Sequence, residues 1–168
     1  MHFIETGQID FSSGHIKFFN VDMVMVPSAT MAFIHHSCKN KDVFYQAGLN
    51  QVKTAFAAYE KQFKVSQIDQ ETFYNLFAPT LQLGGWGNVE FKEIDFSEVE
   101  KTIINVKDNP FALIYRGTIG KQKESVDDYL RGVFEAGIYL ISGIKIKCIE
   151  TKCIAKGDNV CEFRIKII

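Results

Sequence analysis

The sequence predicts an α+β domain in which helices pack on one face of an antiparallel β-sheet, with a C-terminal β-hairpin. Apolar residues recur at helical spacing mainly in the first half of the chain, whereas strand-like alternation clusters in the second half. No regular strand-helix-strand rhythm links the two halves. The 168 residues, 46% of them hydrophobic, suffice for one domain with a sizeable core, so residues 1–168 are expected to form a single domain.

Charge and hydropathy exclude several classes of protein. Nineteen Lys and Arg against twenty Asp and Glu leave a net charge of -1, so no basic surplus is available for binding nucleic acid. No apolar run approaches the roughly 18 residues that would cross a membrane. The first residues, MHFIET, lack the features of a secretory signal, so a cytoplasmic location is expected. The four cysteines are therefore not expected to form disulfides.

The first third of the chain predicts an arm followed by two helices. Residues 1–26 are expected to form short strands, with 8–11 and 15–19 flanking a turn at 12–14. A short helix is expected from Ser28, after Pro27, with one side formed by Met31, Phe33, Ile34 and Cys38. Cys38 is interpreted as a core residue. Asp42 is expected to cap a long helix along which Phe44, Val52, Phe56, Tyr59 and Phe63 recur.

A third helix precedes the strands. Asp69 is expected to cap it and Gly84-Gly85 to end it, and its apolar residues are Phe73, Leu76, Phe77 and Leu81. Pro79 is expected to disturb its second half. Residues 89–96 and 102–106 then predict two neighbouring antiparallel strands, and residues 116–124 predict a loop.

The last third predicts one helix and a hairpin. Ser125 and Asp128 are spaced as a capping box for a helix that reaches Ser142 or Gly143. Residues 144–168 alternate as two strands around a polar turn at 155–159.

Side-chain alternation in this hairpin predicts a cluster of metal-binding residues. In the first strand Glu150 falls on the same face as the apolar residues Ile144, Ile146 and Cys148. In the second strand the inward set is Cys161, Phe163, Ile165 and Ile167, with Glu162 outward. Cys153 stands at the entrance to the turn, so three potential zinc ligands converge. The alternative is that both cysteines are small buried hydrophobes and Glu150 marks a strand end.

Residues 150–163, ETKCIAKGDNVCEF, resemble the C-terminal signature of the 4-vinyl reductase-type small-molecule-binding domain. Residues 129–143 resemble the helix before that signature, and YQAG at 45–48 resembles the family's first long helix. The strong match covers roughly residues 125–167. The resemblance implies a fold of helices and antiparallel sheet, commonly dimeric, that is related to the ligand-binding domains of nitric-oxide sensors and to Golgi vesicle-tethering subunits.

The resemblance also implies a set of zinc ligands. In the receiver domains of phenol-responsive transcription activators, the glutamate and two cysteines of this signature hold zinc, which implies Glu150, Cys153 and Cys161 here. Those domains take a third cysteine from the start of the preceding helix, and Asp127 holds that place in this chain. Cys148 is the competing fourth ligand, although its distance from Glu150 along a strand, roughly 6–7 Å, is less convenient. Four protein ligands leave no open position, so the zinc is expected to be structural, and no catalytic residue is predicted.

Aromatic residues are the candidates for a ligand pocket. The set is Phe44, Phe56, Tyr59, Phe73, Phe77 and Trp86, and the same pattern is also typical of an ordinary core. His35 and His36 are predicted to be structural, because no acid or nucleophile stands at triad-like spacing. The glycines at 117–120 do not match a phosphate-loop motif and are expected to lie in a flexible loop.

These observations favour a cytoplasmic domain that senses or carries a hydrophobic or aromatic small molecule and is stabilised by structural zinc. It is expected to act as a homodimer, with output through a protein partner. One alternative is a reductase acting on a tetrapyrrole vinyl group, although no nicotinamide or flavin motif is recognisable. The other is a non-catalytic dimeric assembly module.

Overall fold

The computed structural model describes residues 9–12, 14–18, 21–64, 69–94 and 98–168, and it has an α+β fold. The first sheet contains β1 (Ile9–Ser12), β2 (His15–Phe18) and β3 (Val21–Met23), and the second contains β4 (Asn88–Glu93), β5 (Ile103–Lys107), β6 (Ile146–Lys152) and β7 (Cys161–Ile167). The helices are α1 (Ser28–Ser37), α2 (Asp42–Phe63), α3 (Gln70–Leu83), α4 (Pro110–Thr118) and α5 (Asp128–Ser142). The second sheet has the antiparallel order β4-β5-β7-β6. The predicted fold class and C-terminal hairpin are therefore confirmed.

Helix α5 is the central helix of the domain. It packs on β6 and on α3, and its Phe134 ring lies 4.9 Å from the Phe163 ring of β7, centroid to centroid. Helix α2 crosses α5 so closely that a Cβ built on Gly132 would come within 3.0 Å of the Tyr45 backbone oxygen. A Cβ on Gly48 would overlap the Tyr129 oxygen in the same way. The two helix backbones are therefore in direct contact at this crossing.

Helix α3 begins as the sequence predicts and continues further than expected. Asp69 accepts a hydrogen bond from the Thr72 backbone N–H at 2.7 Å, which caps the helix. The helix runs through Pro79 to Leu83, so the expected disturbance was wrong. Leu81 is buried in the core beyond the proline, and this burial offsets the lost backbone hydrogen bond.

Helix α4 was not predicted, and its last residues lie where a loop was expected. The Asn109 side chain accepts hydrogen bonds from the backbone N–H groups of Phe111 and Ala112, and Pro110 occupies the first helical turn. Residues 116–118, including Gly117, belong to this helix. The sequence signal was the Asn-Pro pair, which also fits a turn.

Three other helix details differ from the sequence prediction. Asp42 does not cap α2: it is the first residue of the helix, and Lys41, which precedes it, makes no capping hydrogen bond through its side chain. Ser125 does not cap α5; Asp127 precedes the first helical residue, and the Ser125 hydroxyl donates to the Glu150 backbone oxygen instead. Helix α1 buries Ala32 and His35, while Phe33 is exposed. The expected apolar side is completed by Met31 and Cys38, which are half-buried, and Ile34, which is exposed. Cys38 is therefore not a core residue.

Some predicted features fall outside the described residues. The predicted arm strands include Gln8 and Phe19, and the predicted first strand of the larger sheet includes residues 95–96; these residues are not among those that the structure describes. The side chain of Phe63 also lies outside the described part of the chain. Within the described residues, no helix combines the length and apolarity that crossing a bilayer requires.

Glu162 was expected to face solvent, but its side chain is buried and accepts hydrogen bonds from three neighbouring side chains. Lys152 Nζ donates to Glu162 at 2.7 Å, and Arg164 and Thr151 donate at 2.9 Å. Ile167, expected inward, is exposed at the end of β7. Charge-assisted hydrogen bonds therefore hold a carboxylate on the outer face of the sheet.

The Glu162 contacts give a prediction about acid stability. Hydrogen bonding to Lys152, and then to Arg164 and Thr151, lowers the pKa of Glu162 from 4.5 to about 2. A folded-state pKa below the unfolded value means that the stabilisation is complete above the unfolded pKa and is lost as the pH falls from about 4.5 towards 2. In denaturant unfolding, wild type should exceed Glu162→Gln in stability at pH 7, and this difference should shrink across that window. A stability difference between wild type and Glu162→Gln that does not change with pH would contradict this prediction.

Candidate metal centre

Four potential ligands meet where α5, β6 and β7 come together. Asp127 precedes α5, Glu150 lies on β6, Cys153 follows β6, and Cys161 is the first residue of β7. All four are buried, and one potential ligand atom from each lies within 4.8 Å of the others. The structure thus brings together the four residues that the sequence singled out as a ligand set.

Internal hydrogen bonds occupy one oxygen of each carboxyl group. Asn109 Nδ2 donates to Asp127 Oδ2 at 3.0 Å, and the Asp127 backbone N–H donates to Glu150 Oε2 at 3.1 Å. The other oxygens, Asp127 Oδ1 and Glu150 Oε1, are buried and have no hydrogen-bond partner. Such orphaned oxygens are costly in a protein interior unless a cation or another donor meets them.

The pKa values of the four groups show that ionisation of one group opposes ionisation of its neighbours. Burial, followed by the charge of Cys153, raises the pKa of Asp127 to about 7. Burial, followed by the charges of Asp127 and Cys153, raises the pKa of Glu150 to about 12. A hydrogen bond between the two thiols lowers the pKa of Cys153 to about 6 and raises that of Cys161. The four groups cannot all ionise side by side without a compensating positive charge.

The donor chemistry fits a divalent ion that prefers sulfur and tetrahedral geometry. Two thiols and two unpartnered carboxyl oxygens make four single-atom ligands, the number that a structural zinc site uses. Ca²⁺ and Mg²⁺ prefer six or more oxygen ligands. The cluster also lies at the N-terminal ends of α4 and α5, where helix dipoles favour negative charge.

Cys148 lies outside this cluster. It is fully buried on β6, one inward position before Glu150, and is absent from the group of converging ligand atoms. Its backbone is held by α5 instead: Glu135 accepts from the Cys148 N–H at 2.9 Å, and Arg131 donates to its carbonyl oxygen at 3.2 Å. These two side chains satisfy the backbone groups of Cys148 at the edge of β6 that no other strand covers in the described part of the chain.

The six aromatic pocket candidates do not form one cluster. The rings of Phe73 and Phe77 stack with their centroids 5.2 Å apart, and the centroid of the Phe77 ring lies 6.4 Å from that of Phe134. Phe56 and Tyr59 are half-buried on α2. The first pair therefore belongs to an aromatic group between α3, α5 and the sheet.

A second aromatic group contains the other two candidates. Trp86 stacks on Tyr129 at 4.7 Å and lies 6.5 Å from Phe111. Phe44 lies 4.7 Å from the ring of His35, which is itself 5.7 Å from Phe111. Trp86 is half-buried, so its ring is partly accessible beside two further aromatic side chains.

His35 has an acidic partner that local spacing did not reveal. Its Nε2 lies 3.0 Å from Asp128 Oδ2, and its Nδ1 lies 3.4 Å from the Tyr115 hydroxyl. Arg131 also pairs with Asp128, at 2.8 Å. The buried ring therefore connects α1 to α4 and α5, which agrees with the predicted structural role.

No protein-family model and no curated protein sequence matches the chain. Its structure is similar to the phenol-responsive sensory domain of the transcription activator PoxR with phenol, with a TM-score of 0.77 and 14% identity over 96% of this chain and 86% of that one. The fold is that of this sensory domain. A vinyl-4-reductase family protein from Methanocaldococcus jannaschii has a TM-score of 0.55 and 14% identity over 87% of this chain and 84% of that one. A trafficking protein particle complex subunit 3 from Naegleria fowleri, covalently bound to palmitic acid, has a TM-score of 0.47 and 13% identity over 84% and 95%.

The sensory-domain fold agrees with the family resemblance of residues 125–167. In this chain α5 precedes the C-terminal hairpin of β6 and β7, and the candidate metal ligands lie where the helix and the hairpin meet.

Proposed function

We propose that the chain is a small-molecule-binding domain that senses or carries a hydrophobic or aromatic ligand. The observation that carries this proposal is the PoxR-type sensory-domain fold along 96% of the chain. The two aromatic groups beside α5 offer apolar, partly accessible walls of the kind that line ligand sites. The reductase activity, the assembly role, the cytoplasmic location and the protein partner stay predictions from the sequence.

Ligand binding can be followed through Trp86, the single tryptophan of the chain. Titration with phenol, cresol and benzene is expected to change its emission saturably for at least one of them, because its ring stacks on Tyr129 and is half-buried. Phe77→Leu, in the other aromatic group, shows whether that group also contributes to affinity. The absence of saturable binding by fluorescence and by calorimetry for all three compounds would contradict an aromatic ligand.

A structural zinc ion is the second part of the proposal. Asp127, Glu150, Cys153 and Cys161 would hold it, since one potential ligand atom from each converges in a buried site and two of these groups have a carboxyl oxygen without a hydrogen-bond partner. With four protein ligands the ion would have no open position for water, so its role would be structural. It would fix the hairpin to the start of α5, because Asp127 and the other three ligands come from these different elements.

The third part is a homodimer in which the N-terminal sheet docks on a second copy. The register of β1, β2 and β3 places six apolar residues on one face, and none of them is fully buried: Ile9, Phe11, Ile16, Phe18, Val21 and Met23. Asp10, Lys17 and Asp22 form the opposite face. Three strands of three or four residues are marginally stable alone, so this apolar face needs a covering surface.

A second copy can supply that surface. Helices α1 and α4 pack together and expose Phe33, Ile34, Leu113 and Ile114. A symmetric dimer would bury this surface and the sheet face twice, once from each copy.

The dimer proposal predicts the effect of a single charge. Wild type should elute as a dimer in size-exclusion chromatography with light scattering. Phe11→Asp should shift it to the monomer, because Phe11 is 59% exposed on the apolar face of the sheet. Ser12→Asp is the matched control on the other face of β1 and should stay dimeric. A monomeric wild type, or a dimer unaffected by Phe11→Asp, would contradict this interface.

A further inference from the structure

The side chain of Asn109 is fully buried. Its amide oxygen faces the start of helix α4, and its amide nitrogen faces the candidate metal ligands. Its Oδ1 accepts from the backbone N–H groups of Phe111 at 3.0 Å and Ala112 at 3.2 Å. These two donors fix the orientation of the amide, since only an oxygen can accept from them. The Nδ2 group must therefore point the other way, into the cluster.

On that side Asn109 meets one candidate ligand directly and approaches a second. Its Nδ2 donates to Asp127 Oδ2 at 3.0 Å and lies 3.9 Å from Cys161 Sγ. The donated hydrogen bond occupies one Asp127 oxygen and leaves Oδ1, which is buried without a partner, as the available ligand atom. Asn109 thereby selects which oxygen of Asp127 can face an ion.

The backbone around Asn109 is held as firmly as its side chain. Gly87 packs against it so closely that a Cβ there would lie 3.0 Å from the Asn109 nitrogen and 2.6 Å from the Lys107 oxygen. Gly87 also has a φ of +95°, a conformation that favours glycine. The Asn109 amide therefore has little freedom to turn away from Asp127.

We propose that Asn109 is a positioning residue of the metal centre, which presents Asp127 through a single oxygen and links metal occupancy to helix α4. This inference rests on the proposed zinc site. Residues that hydrogen-bond to metal ligands fix the ligand geometry, and their loss commonly lowers metal affinity about 10- to 100-fold. Because the same side chain caps α4, zinc binding should also protect the first turn of α4 from hydrogen exchange, although α4 supplies no ligand.

The test separates the two roles of Asn109 by substitution. Asn109→Ser keeps a good helix cap but removes the amide donor, whereas Asn109→Ala removes both. Zinc affinity, measured by competition with a chromophoric chelator, should fall about 10- to 100-fold in both variants. The stability of the metal-free protein should fall in both variants, because both lose the donor to Asp127 Oδ2, and it should fall further in Asn109→Ala, which also loses the helix cap. Asn109→Thr, also a helix cap, replaces the serine variant if that one fails to fold.

Cobalt substitution supplies a readout that helix capping alone would not move. The absorption bands of the Co²⁺-loaded protein should shift in Asn109→Ser, because Asp127 is no longer held to one oxygen. Unchanged zinc affinity and an unchanged cobalt spectrum would overturn the proposal.

A double-mutant cycle tests whether Asn109 acts through Asp127. In an Asp127→Ala background, Asn109→Ser should cause no further loss of zinc affinity. If Asn109→Ser lowers zinc affinity equally in the wild-type and the Asp127→Ala backgrounds, Asn109 does not act through Asp127. A wild-type protein that binds no zinc would contradict the metal centre itself, whereas zinc binding that is insensitive to Asn109 would contradict only its positioning role.

Discussion

Replacing Gly132 by alanine is expected to unfold the domain or to lower its free energy of unfolding by more than about 3 kcal/mol. The added Cβ would come within 3.0 Å of the Tyr45 backbone oxygen, a distance that Cβ atoms in real proteins essentially never show. No flexible side chain is available to move, because the obstacle is the backbone of α2. The helices would have to separate, which would loosen the packing along the whole α2–α5 contact.

Thermal and denaturant unfolding measure this effect, and Gly117→Ala is the matched control. Gly117 is also helical, but a Cβ there meets nothing within 4 Å. The control should therefore be neutral or more stable by up to about 1 kcal/mol, because alanine is the better helix former. Gly48→Ala should behave like Gly132→Ala, since it meets the Tyr129 oxygen from the other helix. Wild-type stability in both variants would show that the helices are further apart than described.

Serine in place of Cys153 or Cys161 is expected to abolish tight zinc binding and to lower stability in the presence of zinc. Zinc at a thousand times its dissociation constant adds about 4 kcal/mol to the free energy of unfolding, and a variant that does not bind forgoes that amount. Removing a thiol takes away one of the four candidate ligands that converge from three elements. Unfolding curves recorded with zinc and with a chelator measure the difference.

The remaining two cysteines serve as controls. Cys38→Ser, at a half-buried position outside the cluster, should keep both zinc and stability. Cys148→Ser should lose stability through its burial but keep one zinc per chain, because Asp127 and not Cys148 completes the cluster. If Cys148→Ser loses zinc and Asp127→Ala keeps it, then Cys148, and not Asp127, is the fourth ligand. A structural ion would be contradicted if zinc changed the stability of neither the wild type nor the two cysteine-to-serine variants at 153 and 161.

The fold was largely predictable because its strongest signals are local. Asp69 capped a helix as expected, and Gly143 ended α5 in a left-handed conformation. Helix α4 was missed because Asn109-Pro110 serves equally as a turn signal, and the helix is only nine residues long. The exposed Phe33 shows the other limit: periodicity predicts an apolar side of a helix, but tertiary packing decides which side is buried.

The candidate site was predictable where residues are close in sequence. Strand alternation placed Glu150 inward, and the hairpin turn brings Cys153 and Cys161 together. Asp127 came from the family resemblance. Asn109 was not foreseen because its contact with Cys161 spans 52 positions, and no local pattern encodes it. The His35–Asp128 pair was missed for the same reason, since 93 positions separate the two residues.

Native mass spectrometry of protein purified without a metal-affinity tag or chelator tests the metal centre most directly. The expected result is one zinc per chain in wild type and none in Cys161→Ser, with the subunit number read from the same spectrum. A wild-type protein that carries no metal, and takes up none when zinc is added, would contradict the central claim that zinc fixes the hairpin to the start of α5.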